Sequence, residues 1–191
     1  GLTSGTLSLA RNVTIAGPGA NLLTVQRTSG TFGVLTIQPG LTVMMSVGTL
    51  DESVRRVVEP GTPPAGKRLE ILSRFADAGI TTGVLVAPIL PGLTDDDEHL
   101  DEVLAACSAA GVRSASPIVL HVRPSSREHF MPWLRNAYPW LYPRYVELYG
   151  NRSYAPKSYT EQVGERFARL RMRHGLTSSG GSRAVPASRE Q

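Results

Sequence analysis

The chain has little of what most often announces a function. One cysteine, Cys107, occurs in 191 residues, which excludes an internal disulfide framework and suits a reducing compartment. Four histidines are present, but His121 and His129 have no cysteine or third histidine near them, so no zinc centre is expected. No apolar run approaches the roughly 20 residues that span a bilayer. No phosphate-binding glycine loop, dinucleotide fingerprint or nucleophile elbow is found. Acidic residues are missing from residues 1–43, whose only charges are Arg11 and Arg27. The formal net charge of +4 is spread along the chain rather than gathered into a patch, which does not support a nucleic-acid partner. Arg166, Arg169, Arg171 and Arg173 read as a solvated helix end that complements its dipole. The N-terminus has neither an initiator methionine nor a signal-sequence pattern, which is expected of a cytoplasmic chain starting inside a longer one.

What is present falls into two grammars. Residues 1–43 give short alternating runs such as NVTI, LLTV and VLTI, closed by Gly, Pro or Asn, the pattern of half-buried strands. Their recurrence at roughly ten-residue steps resembles rungs of a parallel β-helix, with a plain β-meander as the other reading. Residues 44–174 read strand, helix, strand, helix, strand, the order of a parallel sheet with crossover helices. Strands are expected over 43–47, 83–88 and 116–122. Thr49 and Glu52 form a capping box for a first helix. A second helix over 66–78 turns Leu69, Ile71, Leu72, Phe75 and Ala76 inward and stops at Gly79. A third opens at Thr94, with Asp95 and Asp96 at the positive end of its dipole. It carries Leu100, Val103, Leu104 and Cys107 on one stripe and stops at Gly111. The proline-broken segment 123–150 and a last helix over 158–174 cover the sheet, and residues 175–191 read as a disordered tail.

In parallel α/β sheets ligands bind where the C-terminal ends of strands converge, so three loops are candidates. The first offers the hydroxyls of Ser46 and Thr49, the carboxylate of Glu59 and the guanidinium of Arg68, a set able to hold a ribose, an amine and a carboxylate. The second, APILPGL, is a rigid apolar wall, in which Ala87, Pro88, Ile89 and Leu90 are placed to bracket a flat heterocycle. The third gathers His121, Arg123 and Arg127, an anion or substrate site. Cys107 reads as buried and inert. No residue is assigned as catalytic or as a metal ligand.

The runs SVGTLDE, EPGTPPAGKRLE, DAGITTGVLVAPILPGLTD, LHVRPSSREHFMPWL, YPRYVELYG and YAPKSY follow one another over residues 45–166. In that order they resemble the spore-photoproduct-lyase-like branch of the radical S-adenosylmethionine (SAM) proteins. The resemblance implies an α/β fold, the C-terminal part of a partial (β/α)6 barrel with strands four to six and their covering helices, preceded here by the β-rich segment. It implies SAM as cofactor, with Ser46 near the ribose or methionyl group, Glu59 and Arg68 at matching positions, and Ala87, Pro88, Ile89 and Leu90 near adenine. The family also holds a [4Fe-4S] cluster on a CxxxCxxC loop after its first strand and cleaves SAM reductively. Nothing before Ser46 supplies a cysteine. The expectation is a truncated radical SAM domain that keeps part of the SAM-facing edge and is not catalytic alone. The alternative is a non-catalytic binding or surface-interaction protein working through the β-rich segment. An incomplete barrel leaves apolar surface open, so self-association is expected.

Overall fold

The computed structural model describes residues 7–9, 35–37 and 42–178. Two short strands, β1 (Leu7–Leu9) and β2 (Leu35–Ile37), pair in parallel, with Leu7 opposite Leu35 and Leu9 opposite Ile37. Neighbouring strands of a meander would pair antiparallel. The runs NVTI and LLTV, on which the expected rungs rest, lie outside the described residues.

The remainder is mixed α/β, with a second sheet of three parallel strands in the order β3 (Thr42–Ser46), β4 (Thr81–Ile89) and β5 (Ser114–Val119). Parallel neighbours need a crossover. Helices α1 (Glu52–Val58) and α2 (Ala65–Asp77) supply it between β3 and β4, and α3 (Asp97–Ala109) between β4 and β5. Then come α4 (Pro124–Ala137), α5 (Tyr142–Tyr149) and α6 (Lys157–Arg173). Ser46, Leu85 and Ser116 stand side by side across the sheet. Among the described residues no helix is long and apolar enough to cross a membrane.

The helix starts differ from the expected ones. Asp51 caps α1, its carboxylate accepting from Ser53 N at 2.7 Å and Val54 N at 3.3 Å, while the Thr49 hydroxyl accepts from Asp51 N at 3.0 Å. A carboxylate is the better acceptor at the positive end of a helix. The hydrogen bond from the Ser53 hydroxyl holds Asp51 below the ordinary carboxylate range. Likewise Asp96, not Thr94, caps α3 by accepting from His99 N at 2.9 Å. Thr94 turns back and accepts from Leu90 N at 2.9 Å.

The main core joins one face of the sheet to three helices. Val47, Val84, Val86, Ala115 and Val119 meet Leu69 and Leu72 of α2, Leu100, Leu104 and Cys107 of α3, and Val163, Phe167 and Leu170 of α6. Fully burying each large apolar side chain contributes about 1.5–3 kcal/mol. Ile71, expected inward, is 37% exposed, because a residue next to Leu72 falls about 100° around the helix from it. A second cluster places Tyr145 and Tyr149 of α5 against Val122 and against Met131 and Leu134 of α4.

Helix α6 is tied to α3 by charge as well as by its apolar face. Arg169 lies 2.9 Å and Arg166 3.4 Å from Asp97, and His174 lies 2.8 Å from Asp101. The expected solvated arginine end is thus partly committed to α3, although such exposed pairs each contribute at most about 1 kcal/mol. The folded body also passes the expected boundary at residue 174. Leu176 is buried, and Thr177 bridges Ser114 in parallel, with Ala115 N donating to Thr177 O at 3.0 Å. Residues 179–191 lie outside the described residues. Arg171 donates to Ala115 O at 3.1 Å, and Pro117 has no N–H, so the outer edge of β5 is a poor template for a further strand.

Cys107 is fully buried, and burial pushes its thiol up to about 12. It is expected to resist an aryl disulfide reagent until the chain unfolds. The folded chain keeps a proton that an unfolded chain loses near pH 8.5, so the stability this thiol contributes is complete below that pH and falls as pH rises, by about 1.4 kcal/mol per unit. Urea melts from about pH 8 to 10 should show this slope in the native chain and lose it in Cys107→Ala.

Candidate ligand-binding edge

The C-terminal ends of β3 and β4 are pressed together. Beyond Ser46, Val47 N donates to Leu85 O at 2.9 Å. Gly48 then packs so closely on β4 that an added Cβ would stand 2.8 Å from Ala87 O and 3.0 Å from Pro88 N. The Ala87–Pro88 peptide is cis. First and second candidate loops therefore meet backbone to backbone.

Arg68 ties the first loop to the sheet. It is 5% exposed; Nη1 donates to Ser46 O at 2.8 Å and Nη2 to Glu59 Oε2 at 2.9 Å. A buried guanidinium is costly unless paired, and this one is paired through both terminal nitrogens. Arg55, also buried, grips the same loop by its backbone, donating from Nη1 to Thr62 O at 2.7 Å and from Nε to Glu52 at 2.8 Å. Ser46, Glu59 and Arg68 are thus brought together. Glu59, whose side chain is 18% exposed, is the charged member with open surface. Thr49 is buried, with its hydroxyl engaged by Asp51 N, so it belongs to the helix start and not to a ligand contact.

The apolar wall is narrower than expected. Ala87 and Pro88 are half-buried and remain available, but Ile89 and Leu90 are 0% and 1% exposed. The ladder to β5 shifts between Val86 and Ile89. That irregularity moves Ile89 onto the core side already used by Val84 and Val86.

In the third loop one of the three candidate residues is already engaged within the fold. Arg127 donates to Gly150 O and Arg152 O, both at 2.7 Å, which makes it a clamp on the turn after α5. Arg123 is exposed and sits at the N-cap of α4, and His121 packs edge-on against Tyr154 with ring centres 4.6 Å apart. His121 and Tyr154 wall a cleft of about 370 Å³ over Ile118, Leu120 and Val163.

Sequence reading missed Asp95. It is 6% exposed; Oδ1 accepts from Gly92 N at 2.6 Å, and Oδ2 accepts from Tyr159 OH at 2.5 Å and from Arg144 at 3.3 Å. Burial first, then the adjacent carboxylate, hold the Tyr159 phenol well above its ordinary value. The run Asp95–Asp96–Asp97 looks uniform in sequence, yet its members do three jobs: a buried node, a helix cap and a partner for α6. Nothing local distinguishes the first from the others, because Tyr159 is 64 positions away. Among the described residues there is no group of three or more His, Cys, Asp or Glu side chains able to hold a metal ion.

No family model matches the chain. It is 40% identical over 153 residues to uncharacterized proteins of Mycobacterium tuberculosis (strain ATCC 25618 / H37Rv) and Mycobacterium bovis, a match covering 80% of this chain and 44% of each of theirs. An uncharacterized protein of Acidianus two-tailed virus is 32% identical over 90 residues, covering 46% of this chain and 30% of that one. The chain thus spans less than half the length of these curated relatives. No solved structure matches.

Proposed function

We propose that residues 44–178 are the C-terminal part of a radical SAM barrel that keeps a SAM-facing edge and is not catalytic alone. The observation that carries this reading is the Ser46–Arg68–Glu59 bridge at the C-terminal end of β3, beside the Ala87–Pro88 backbone of the next strand in a sequential parallel sheet. Ser46, Glu59, Ala87 and Pro88 are the residues that would meet SAM, which supplies an adenosyl group and a sulfonium. The cytoplasm is the matching location.

A [4Fe-4S] cluster does not fit this chain's residues. Cluster iron is held by several thiolates, whereas the chain has one cysteine, buried in α3 with a thiol that burial keeps protonated. No step of reductive SAM cleavage is therefore assigned to it. Anaerobic iron–sulfide reconstitution is expected to leave no stoichiometric cluster, and calorimetric titration with SAM to give saturable heat. A bound cluster would overturn the claim that the chain is not catalytic alone, and absence of heat at millimolar SAM the claim of a SAM-facing edge. Self-association of the half barrel belongs to the same proposal, and a single sedimenting monomer would count against it. The alternative, a surface-interaction protein, is favoured by one observation, the parallel pairing of β1 with β2. An upstream coding frame that adds further rungs and a secretion signal would select it.

A further inference from the structure

The outer strands of the three-stranded sheet are treated differently. At β5 the edge is closed: Arg171 donates to Ala115 O at 3.1 Å, Thr177 bridges Ser114, and Pro117 has no N–H to offer. At β3 the direction of each backbone group follows from the ladder. Ser46 stands opposite Leu85, and Val47 N donates to Leu85 O at 2.9 Å. Backbone groups alternate in direction along a strand, so Val43, Met45 and Val47 address β4, while Thr42, Met44 and Ser46 turn their N–H and C=O groups outward. Arg68 occupies Ser46 O at 2.8 Å, which leaves Thr42 and Met44. Among the described residues nothing bonds to the outward groups of these two. The strand TVMMS also has none of the usual guards of an edge, since it carries no charge, no proline and no bulge. Val43, Met44 and Met45 are half-buried, whereas Thr82, Gly83 and Val84 opposite them are buried.

We infer that this edge docks a second copy of the chain, the two β3 strands pairing antiparallel about a two-fold axis at Val43. The strand is complementary to itself in that register. Thr42 of one copy faces Met44 of the other, and their outward N–H and C=O groups bond reciprocally without displacing Arg68 from Ser46 O. Val43 meets its own counterpart at a non-hydrogen-bonded position, with Cα atoms about 4.5 Å apart. That meeting lies on the face where Val43 and Met45 already pack against the main core. No like charges are opposed, because the strand carries none. A two-fold axis perpendicular to the sheet keeps the core face on one side in both copies, so the strands join into one sheet in the order β5, β4, β3, β3, β4, β5. Each far edge is closed by Arg171, Pro117 and Thr177, so growth stops at two copies. The inference rests on the self-association proposed above and gives it a surface; it does not depend on SAM.

A contact built on one short strand is smaller than the roughly 1,200–2,000 Å² of a stable interface. A reversible dimer is therefore expected, read by sedimentation of the full chain over roughly 1–500 µM. Val43→Cys should link two copies under mild oxidation, since a disulfide needs Cα atoms roughly 4.4–6.8 Å apart. The native chain should not link, its Cys107 being fully buried, and neither should Met172→Cys, 70% exposed near the end of α6. Thr42→Pro removes one outward donor from each copy and leaves the β4 ladder intact. It is expected to weaken the dimer at least about tenfold, with the melting temperature of the dilute chain unchanged. A native chain that stays monomeric throughout would overturn the inference together with the self-association. A dimer that Val43→Cys does not link and Thr42→Pro does not weaken would overturn the inference alone and place self-association on another surface. Met172→Cys linking as fast as Val43→Cys would mean random collision and overturn it too. Calorimetry with SAM decides the SAM reading separately.

Discussion

Asp95→Ala is expected to lower the unfolding free energy by about 3 kcal/mol, the cost of removing a buried charged acceptor whose partners then stay buried. The main loss is not the ion pair: Arg144 is 46% exposed on its side chain and 3.3 Å away, so its share is reduced by solvent screening. More is lost at the Gly92 N–H, which shapes the loop leaving β4, and at the Tyr159 hydroxyl, which anchors α6. Tyr159→Phe should cost about 1 kcal/mol by itself and much less once Asp95 is gone, whereas Arg144→Met should stay within about 1 kcal/mol of native. Urea unfolding of the three variants and the double mutant measures this. An Asp95→Ala variant within about 0.5 kcal/mol of the native chain would show that the node does not hold the loop to α6.

Gly48→Ala should be nearly as damaging, although it adds a single methyl group. The new carbon would press on Ala87 O and on the carbonyl carbon at 2.9 Å, and backbone cannot rotate away as a side-chain tip can. Overpacking of this kind costs about 1–3 kcal/mol, and relief requires the ends of β3 and β4 to part. The variant is therefore expected to combine a lower melting temperature with loss of whatever binds between Ser46 and Pro88. Gly66→Ala is the control: it has open space around its Cβ direction and sits inside α2, so it should leave stability unchanged or raise it slightly. Equal melting temperatures for the native chain and Gly48→Ala would contradict the close approach.

The elements legible in the sequence were those set by local pattern. Leu100, Val103, Leu104 and Cys107 recur at helical spacing and do form the buried stripe of α3, and the β-strand, helix, β-strand order does give a parallel sheet. Where two local signals competed, the stronger acceptor won: Thr49 and Thr94 have the chemistry of caps, but Asp51 and Asp96 lie closer to the helix starts. Ile89 was misplaced because a shift in ladder register changes which side of a strand a residue faces. The candidate edge was half legible. Glu59 and Arg68 were singled out by type and by position at a strand end, but whether an arginine meets a ligand or a carbonyl depends on its burial. Arg127 of the third loop was hidden for another reason, since nothing beside it in sequence announces that Gly150 and Arg152 are its partners. Asp95 was hidden by its neighbours and by the distance to Tyr159.

The placement of α6 has a consequence for how the chain is made. Val163, Phe167 and Leu170, at 0%, 0% and 2% exposed, seal a core whose strands and other helices all precede them. Synthesis proceeds from the N-terminus at about 5–20 residues per second, so the sheet and α3 leave the ribosome several seconds before the helix that covers them. During that interval Leu100, Leu104 and Cys107 have no α6 to pack on, and the contacts awaited span some 60 to 70 positions, the kind of long-range closure that slows folding. A nascent chain stalled before Tyr159 should therefore be held by chaperones or lost to proteolysis, and emergence of α6, rather than formation of the strands, is expected to be the event that makes this domain protease-resistant.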